Sequence, residues 1–131
     1  MKYMLLMTGT KEHFDSYATW PKEDLQASFV FMRSFAKELK EQGIFVSTEG
    51  LAFPHEAKLV RAGNGGEPVT DGVFPESKEF LAGFWVIEVK SAEEAYTIAA
   101  RLSAGPEQLR ARGSMPVEVR ALVEVPGTSQ N

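Results

Sequence analysis

The sequence predicts an α+β fold: an antiparallel sheet with two main helices on one face, a ferredoxin-like sandwich with extra strands. Three observations lead there. The apolar residues switch between a period of two and a period of three to four, giving the order strand, long helix, strand, hairpin, strand, helix, strand. Each helical stretch carries one apolar stripe and so asks for one sheet face. With both helices on that face, the opposite one must be hidden by something this chain does not supply. A second copy is the economical answer, because a large apolar sheet face is rarely left in water.

In chain order, residues 2–7 read as the first strand, with Tyr3, Leu5 and Met7 on one side and Met4 and Leu6 on the other. Apolar residues on both sides predict a central strand. Residues 8–20 read as a loop rich in Gly, Asp, Ser and Thr. His13, Phe14, Tyr17 and Trp20 are bulky for a loop, and two uses are open: a lid packed over a cavity, or part of a subunit interface. Pro21 opens the long helix, where its missing N–H costs nothing, and Glu23 and Asp24 suit the positive end of the helix dipole. Leu25, Phe29, Met32, Ala36 and Leu39 share one helical face, widened by Phe31 and Phe35, and Gly43 supplies the left-handed stop.

Residues 44–51 form the second strand, ended by Pro54. Residues 58–61 and 68–70 flank the turn cluster Gly63, Asn64, Gly65 and Gly66 and predict a hairpin. Asp71 and Gly72 signal a second turn. Residues 83–89 are a continuous apolar strand. Ser91 and Glu94 then form a capping box, and Ala95, Ile98, Ala99 and Leu102 give the second helix its stripe, closed by Gly105 and Pro106. A short turn follows at residues 107–110. Val117, Val119, Ala121, Val123 and Val125 alternate with Glu118, Arg120, Leu122 and Glu124, predicting a last strand with one dry face. Residues 1–126 are expected to form one domain and residues 127–131 a frayed tail.

At 131 residues, with 44% hydrophobic and 24% charged, the chain suits a single folded domain. No apolar run approaches the roughly 20 residues of a membrane helix, so no membrane partner is expected. The apolar opening is too short for a signal peptide and is broken by residues 8–12; with no cysteine to form disulfides or bind zinc, the expected location is cytoplasmic. A net charge of -4 argues against nucleic acid as a partner. Arg101, Arg110, Arg112 and Arg120 come nearest to a basic cluster and read as a solvated face. His13 and His55 are the only imidazoles, and neither has a ligand at metal-binding spacing, so neither metal nor cofactor is expected. Asn64-Gly65-Gly66 lacks the Lys and the helix of a phosphate loop, and no nucleophile-elbow pattern occurs.

The centre of the chain carries a family likeness. Val69-Thr70-Asp71-Gly72-Val73-Phe74, then Glu76-Ser77-Lys78-Glu79, then Gly83-Phe84-Trp85-Val86-Ile87-Glu88-Val89 resembles the signature of YCII-related proteins of the DGPF type. That pattern is T-D-G-P-F-x-E-(S/T)-K-E, followed by G-(G/F)-(F/Y) and an apolar strand. Residues 1–6, Glu49-Gly50-Leu51-Ala52 ahead of a proline, and Val117-Glu118-Val119-Arg120 add to it, so the resemblance covers almost the whole chain. Val73 stands where the family usually has proline. The first long helix lacks the His that an enzymatic-looking branch pairs with an Asp. The resemblance implies a dimeric α+β barrel, in which two sheets face each other and enclose paired pockets. Related barrels include isomerases, monooxygenases and a dehydrochlorinase, and the family's genes often neighbour those of extracytoplasmic-function sigma factors.

Two roles are open to Asp71: a general base or ligand anchor kept charged by Lys78, or a turn residue whose carboxylate ties down backbone N–H groups. Glu118 and Arg120 lie two apart on one strand and share a face. With the valines toward the helices, this pair faces the dimer cavity, either to receive a polar ligand or as an ion pair fixing the interface. Glu49, near the end of a neighbouring strand, joins the cluster. The expected site therefore has Asp71 as its catalytic group. Glu49, Phe74, Lys78, Glu79, Phe84, Glu118 and Arg120 bind the ligand, and residues 8–20 close over it. The expected function is that of a homodimer binding a small molecule, or an enzyme working without a cofactor by proton transfer, isomerisation or elimination. The alternative is a non-enzymatic regulatory module whose partner is linked to an extracytoplasmic-function sigma factor.

Overall fold

The computed structural model describes residues 1–72 and 79–127. In chain order the elements are β1 (Lys2–Gly9), α1 (Lys11–Ser16), α2 (Lys22–Glu41), β2 (Phe45–Gly50), β3 (Lys58–Ala62), β4 (Pro68–Gly72), β5 (Phe80–Glu88), α3 (Ala92–Ala104) and β6 (Val117–Ala121). Four strands make one antiparallel sheet in the order β2-β5-β1-β6, and β3 and β4 make a separate two-stranded hairpin. This is the α+β, ferredoxin-like arrangement expected, with β1 central.

Strand alternation sorts the sheet into two faces. Phe45, Ile87 and Tyr3 pair in one row, and Trp85, Leu5 and Val119 in another. Against these α2 sets Phe35 and Leu39, and α3 sets Ala95, Ile98, Ala99 and Leu102. Leu5, Leu39 and Ile87 are wholly removed from water, each worth about 1.5–3 kcal/mol in transfer energy. The Phe35 ring meets Trp85 edge-on at 5.3 Å between centroids. Arg101 on α3 pairs with Glu38 on α2 while its guanidinium lies over Phe35, so the two helices are tied above the sheet.

The helix ends follow local chemistry. The Pro21 carbonyl accepts from the N–H groups of Asp24 and Leu25 at the start of α2. Beyond its end Gly43 adopts φ +74°, the left-handed stop. At α3 the Ser91 hydroxyl accepts from the Glu94 N–H, but the Glu94 carboxylate reaches the N–H of Lys90, one residue before the cap.

The structure differs from the expected elements in four places. Within residues 8–20 there is a helix, α1, where a loop was expected; Thr10 caps it by accepting from the His13 N–H, a signal too short for a periodic pattern to register. Asp71 and Gly72 are not a turn but lie in β4, opposite Leu59 and Lys58. The last strand stops at Ala121, not at Val125. Its ladder with β1 runs out where the Leu122 N–H meets the Lys2 carbonyl, and Val123 beyond it is 83% exposed. Phe29, placed on the core stripe of α2 by its spacing, is 60% exposed. The core-facing part of that stripe is its C-terminal half, whereas Leu25 and Phe29 border a cavity.

Candidate functional site: an open sheet face and an aromatic cavity

The other face of the sheet holds two rows that run from edge to edge. Glu49, Phe84, Leu6 and Glu118 are successive partners in one, and Ser47, Val86, Met4 and Arg120 in the next. None of the four apolar residues belongs to the core beneath the helices. Val86 is buried, and Met4, Leu6 and Phe84 are partly so. An apolar centre is thus bordered by polar side chains, and the two borders stand three strand spacings apart, about 14 Å.

Each expected site residue has a definite place or lies outside the described residues. Glu49, Phe84, Glu118 and Arg120 share the open face, but Glu49 sits on the edge opposite the other charged pair. Glu118 and Arg120 are neighbours, Oε2 to Nε 3.5 Å, with both side chains more than half exposed. Within one chain they are therefore a surface pair. Asp71 stands on the hairpin, 3.6 Å from Arg61 Nη2 and likewise exposed. Every strand residue of that hairpin is exposed, including Leu59, Val60 and Val69. Glu79 is exposed just before β5. Phe74 and Lys78 lie outside the described residues, as does the link between Asp71 and Lys78.

A second feature emerged only with the fold. A cavity of about 400 Å³ opens between α1, the first turns of α2 and the segment after β2, lined by Phe14, Tyr17, Leu25, Phe29, Leu51 and Phe53. A neighbouring hollow of about 370 Å³ shares Leu51 and Phe53 with it. Rings dominate the wall. Phe53 lies 6.0 Å from Phe14, edge to face, and 6.1 Å from Tyr17, nearly parallel. Phe14 also meets Phe80, and Tyr17 meets Trp20. The sequence had offered His13, Phe14, Tyr17 and Trp20 as lid or interface. Phe14 and Tyr17, carried by α1 and the turn Tyr17–Thr19, line this cavity, while His13 and Trp20 pack against the Tyr17 ring. Phe53 and Leu51 gave no signal of their own, since an aromatic beside a proline is unremarkable until the chain folds back.

His13 supports that wall. Its Nε2 lies 3.3 Å from the Tyr17 hydroxyl, and its ring is set against Gly9, where an added Cβ would come within 3.0 Å of the imidazole. Burial holds His13 below its ordinary pKa and pushes Tyr17 above its own. Both shifts favour neutral groups. Of the arginines read as a solvated face, Arg101 pairs with Glu38, Arg112 with Asp24 and Arg120 with Glu118. Among the described residues no group of three His, Asp or Glu side chains is placed to hold a metal ion, and no helix is long and apolar enough to cross a membrane.

No curated protein matches the chain. The model of the YCII-related domain matches residues 1–112, which takes in the cavity, β1 to β5 and α3, and leaves β6 with Glu118 and Arg120 beyond its end. The chain belongs to the YCII-related domain family.

Proposed function

We propose that this is a small-molecule-binding protein that holds its ligand in the aromatic cavity beside α1 and pairs with a second copy through the open sheet face. The cavity carries this reading. Its volume lies within the roughly 300–1,000 Å³ usual for small-molecule sites, and its wall combines many apolar surfaces with few polar groups. Unlike the expected cluster around Asp71, it is assembled within one chain. The open face supports the pairing, since Met4, Leu6, Phe84 and Val86 form a continuous apolar strip with charges only at its borders. In a pair of this kind Glu49, Glu118 and Arg120 edge the interface.

Amide chemical shifts test the ligand site. A set of neutral one- and two-ring compounds at millimolar concentration is expected to move signals from α1, residues 25–29 and residues 51–53. Shifts confined to β4 or β6, or no binding at all, would sink the placement.

A further inference from the structure

We infer that the cavity recognises a neutral, flat aryl alcohol, whose rings lie among Phe14, Phe53 and Phe29 and whose hydroxyl meets that of Tyr17. This rests on the cavity being the ligand site, and it adds the chemistry of what enters.

Neutrality follows from the wall. Among the described residues its wall holds no charged side chain, and on the helices that flank it Lys11 is paired with Asp15 at 2.8 Å and Asp24 with Arg112 at 2.5 Å. An ionised ligand would leave water with no counter-charge to meet it, a cost of several kcal/mol for an unpaired charge. His13 does not supply that charge, because its burial favours the neutral imidazole. Flatness follows from the rings. Phe53 offers one neighbour an edge and another a near-parallel face, and aryl groups gain most from such offset or edge contacts.

The hydroxyl follows from what Tyr17 has left over. A phenol has one donor and two acceptor positions. Among the described residues its one hydrogen-bond partner is His13 Nε2. If the imidazole accepts, the Tyr17 oxygen remains free to accept from a ligand; if the imidazole donates, the Tyr17 proton is free to be given. An alcohol answers either case, being both donor and acceptor. His13, fixed against Gly9, is then a positioning residue that keeps the Tyr17 hydroxyl in one orientation. Ser28 is the other hydroxyl in the wall, and it provides the control.

The test uses three probes of one shape: naphthalene, 1-naphthol and naphthalene-1-sulfonate, titrated by NMR into the full chain. We expect 1-naphthol to bind at one site per chain, about tenfold tighter than naphthalene, the worth of one hydrogen bond in a sheltered site. The sulfonate should bind at least about tenfold more weakly than 1-naphthol. Tyr17→Phe should remove the preference of 1-naphthol over naphthalene, while Ser28→Ala should keep it. Phe29→Glu, at an exposed position on the rim, should weaken both neutral probes together. If naphthalene binds but Tyr17→Phe leaves the preference intact, or Ser28→Ala removes it, the cavity stands and the proposed chemistry falls. Equal binding of the sulfonate would also overturn it. If none of the three binds, the site itself is wrong, and the inference goes with it.

Discussion

Arg112 and Asp24 lie 88 positions apart in the chain and are joined by two hydrogen bonds, Arg112 Nη2 and Nε donating to Asp24 Oδ2 at 2.5 and 3.2 Å. The same guanidinium rests over the Trp20 ring, 4.5 Å from its centroid. One side chain thus connects the turn after α3, the start of α2 and the aromatic segment that walls the cavity. A planar cation is needed for both contacts at once, since a lysine has neither the fork nor the flat face. Arg112→Lys is therefore expected to cost about 1 kcal/mol, or roughly 2–6 °C in Tm, nearly as much as Arg112→Ala. Thermal unfolding of the three proteins decides it. A lysine variant as stable as the parent would show that charge alone is what matters there.

Gly83 is required by closeness, not by backbone conformation. A Cβ at this position would come 2.8 Å from the Glu49 carbonyl oxygen, on the neighbouring strand, whereas one at Gly50 would meet nothing within 4 Å. Backbone cannot step aside as a side chain can. Gly83→Ala should push β2 away from β5 and cost about 1–3 kcal/mol, while Gly50→Ala should remain within about 0.5 kcal/mol of the parent. Urea denaturation measures both. Equal stability of the two variants would refute the close approach.

These two positions show what the sequence made legible. The motif's glycine opened the apolar strand read at residues 83–89, which overlaps β5, and periodicity gave α3 its buried stripe and set Val117 and Val119 on the dry face of β6. What it could not show was which strand Gly83 would touch, or that residues 11–16 would fold into a helix with Phe14 against Phe53. Such facts are set by contacts between distant parts of the chain, as between Phe14 and Phe53. The same limit applies to the expected site. Two-residue spacing put Glu118 and Arg120 on one face, and the structure agrees. Asp71 gave a strong turn signal from its own type and its glycine neighbour, yet cross-strand pairing with Leu59 drew it into a strand. Local chemistry proposed and tertiary pairing overruled it.

Acid stability should depend on two exposed carboxylates. A side-chain hydrogen bond from Arg101 lowers the pKa of Glu38 below its ordinary 4.5, and one from the N-terminal amine does the same for Glu88. A carboxylate whose pKa is lowered by folding adds stability above its unfolded value, and that stability is lost as the pH falls through the folded value. Glu38→Gln should therefore lower Tm at pH 7 and make no difference once the pH lies below the folded value. A Tm gap that persists unchanged into strong acid would point to lost packing instead.

The cavity wall should respond to pH in a different window. Burial depresses the pKa of His13 below 6.5, so the unfolded chain takes up its proton first. Stability is complete above about pH 6.5 and declines as the pH falls toward the folded value, levelling off below it. His13→Gln should remove that part of the decline, whatever it does to the stability at pH 7.5. An NMR titration gives the direct check: the His13 ring should titrate below 6.5, and a midpoint at or above that value would contradict the burial.

Self-association is expected to depend on the apolar strip of the open face. Leu6 occupies its centre, with Phe84 on one side and Glu118 on the other. In a single chain Leu6→Lys would have the Glu118 carboxylate as a neighbour and water within reach, so the sheet should tolerate it. Pressed between two sheets, the same ammonium would lose water with too few partners, a penalty of several kcal/mol. Sedimentation at about 10 µM should then show the parent as a dimer and Leu6→Lys as a monomer with unchanged far-UV circular dichroism, the dissociation constant rising at least about a hundredfold. Lys58→Glu, on the exposed hairpin away from that strip, should leave the dimer as it is. A parent protein that sediments as a monomer at this concentration, or a Leu6→Lys variant that still pairs, would mean that the open face is not where two copies meet.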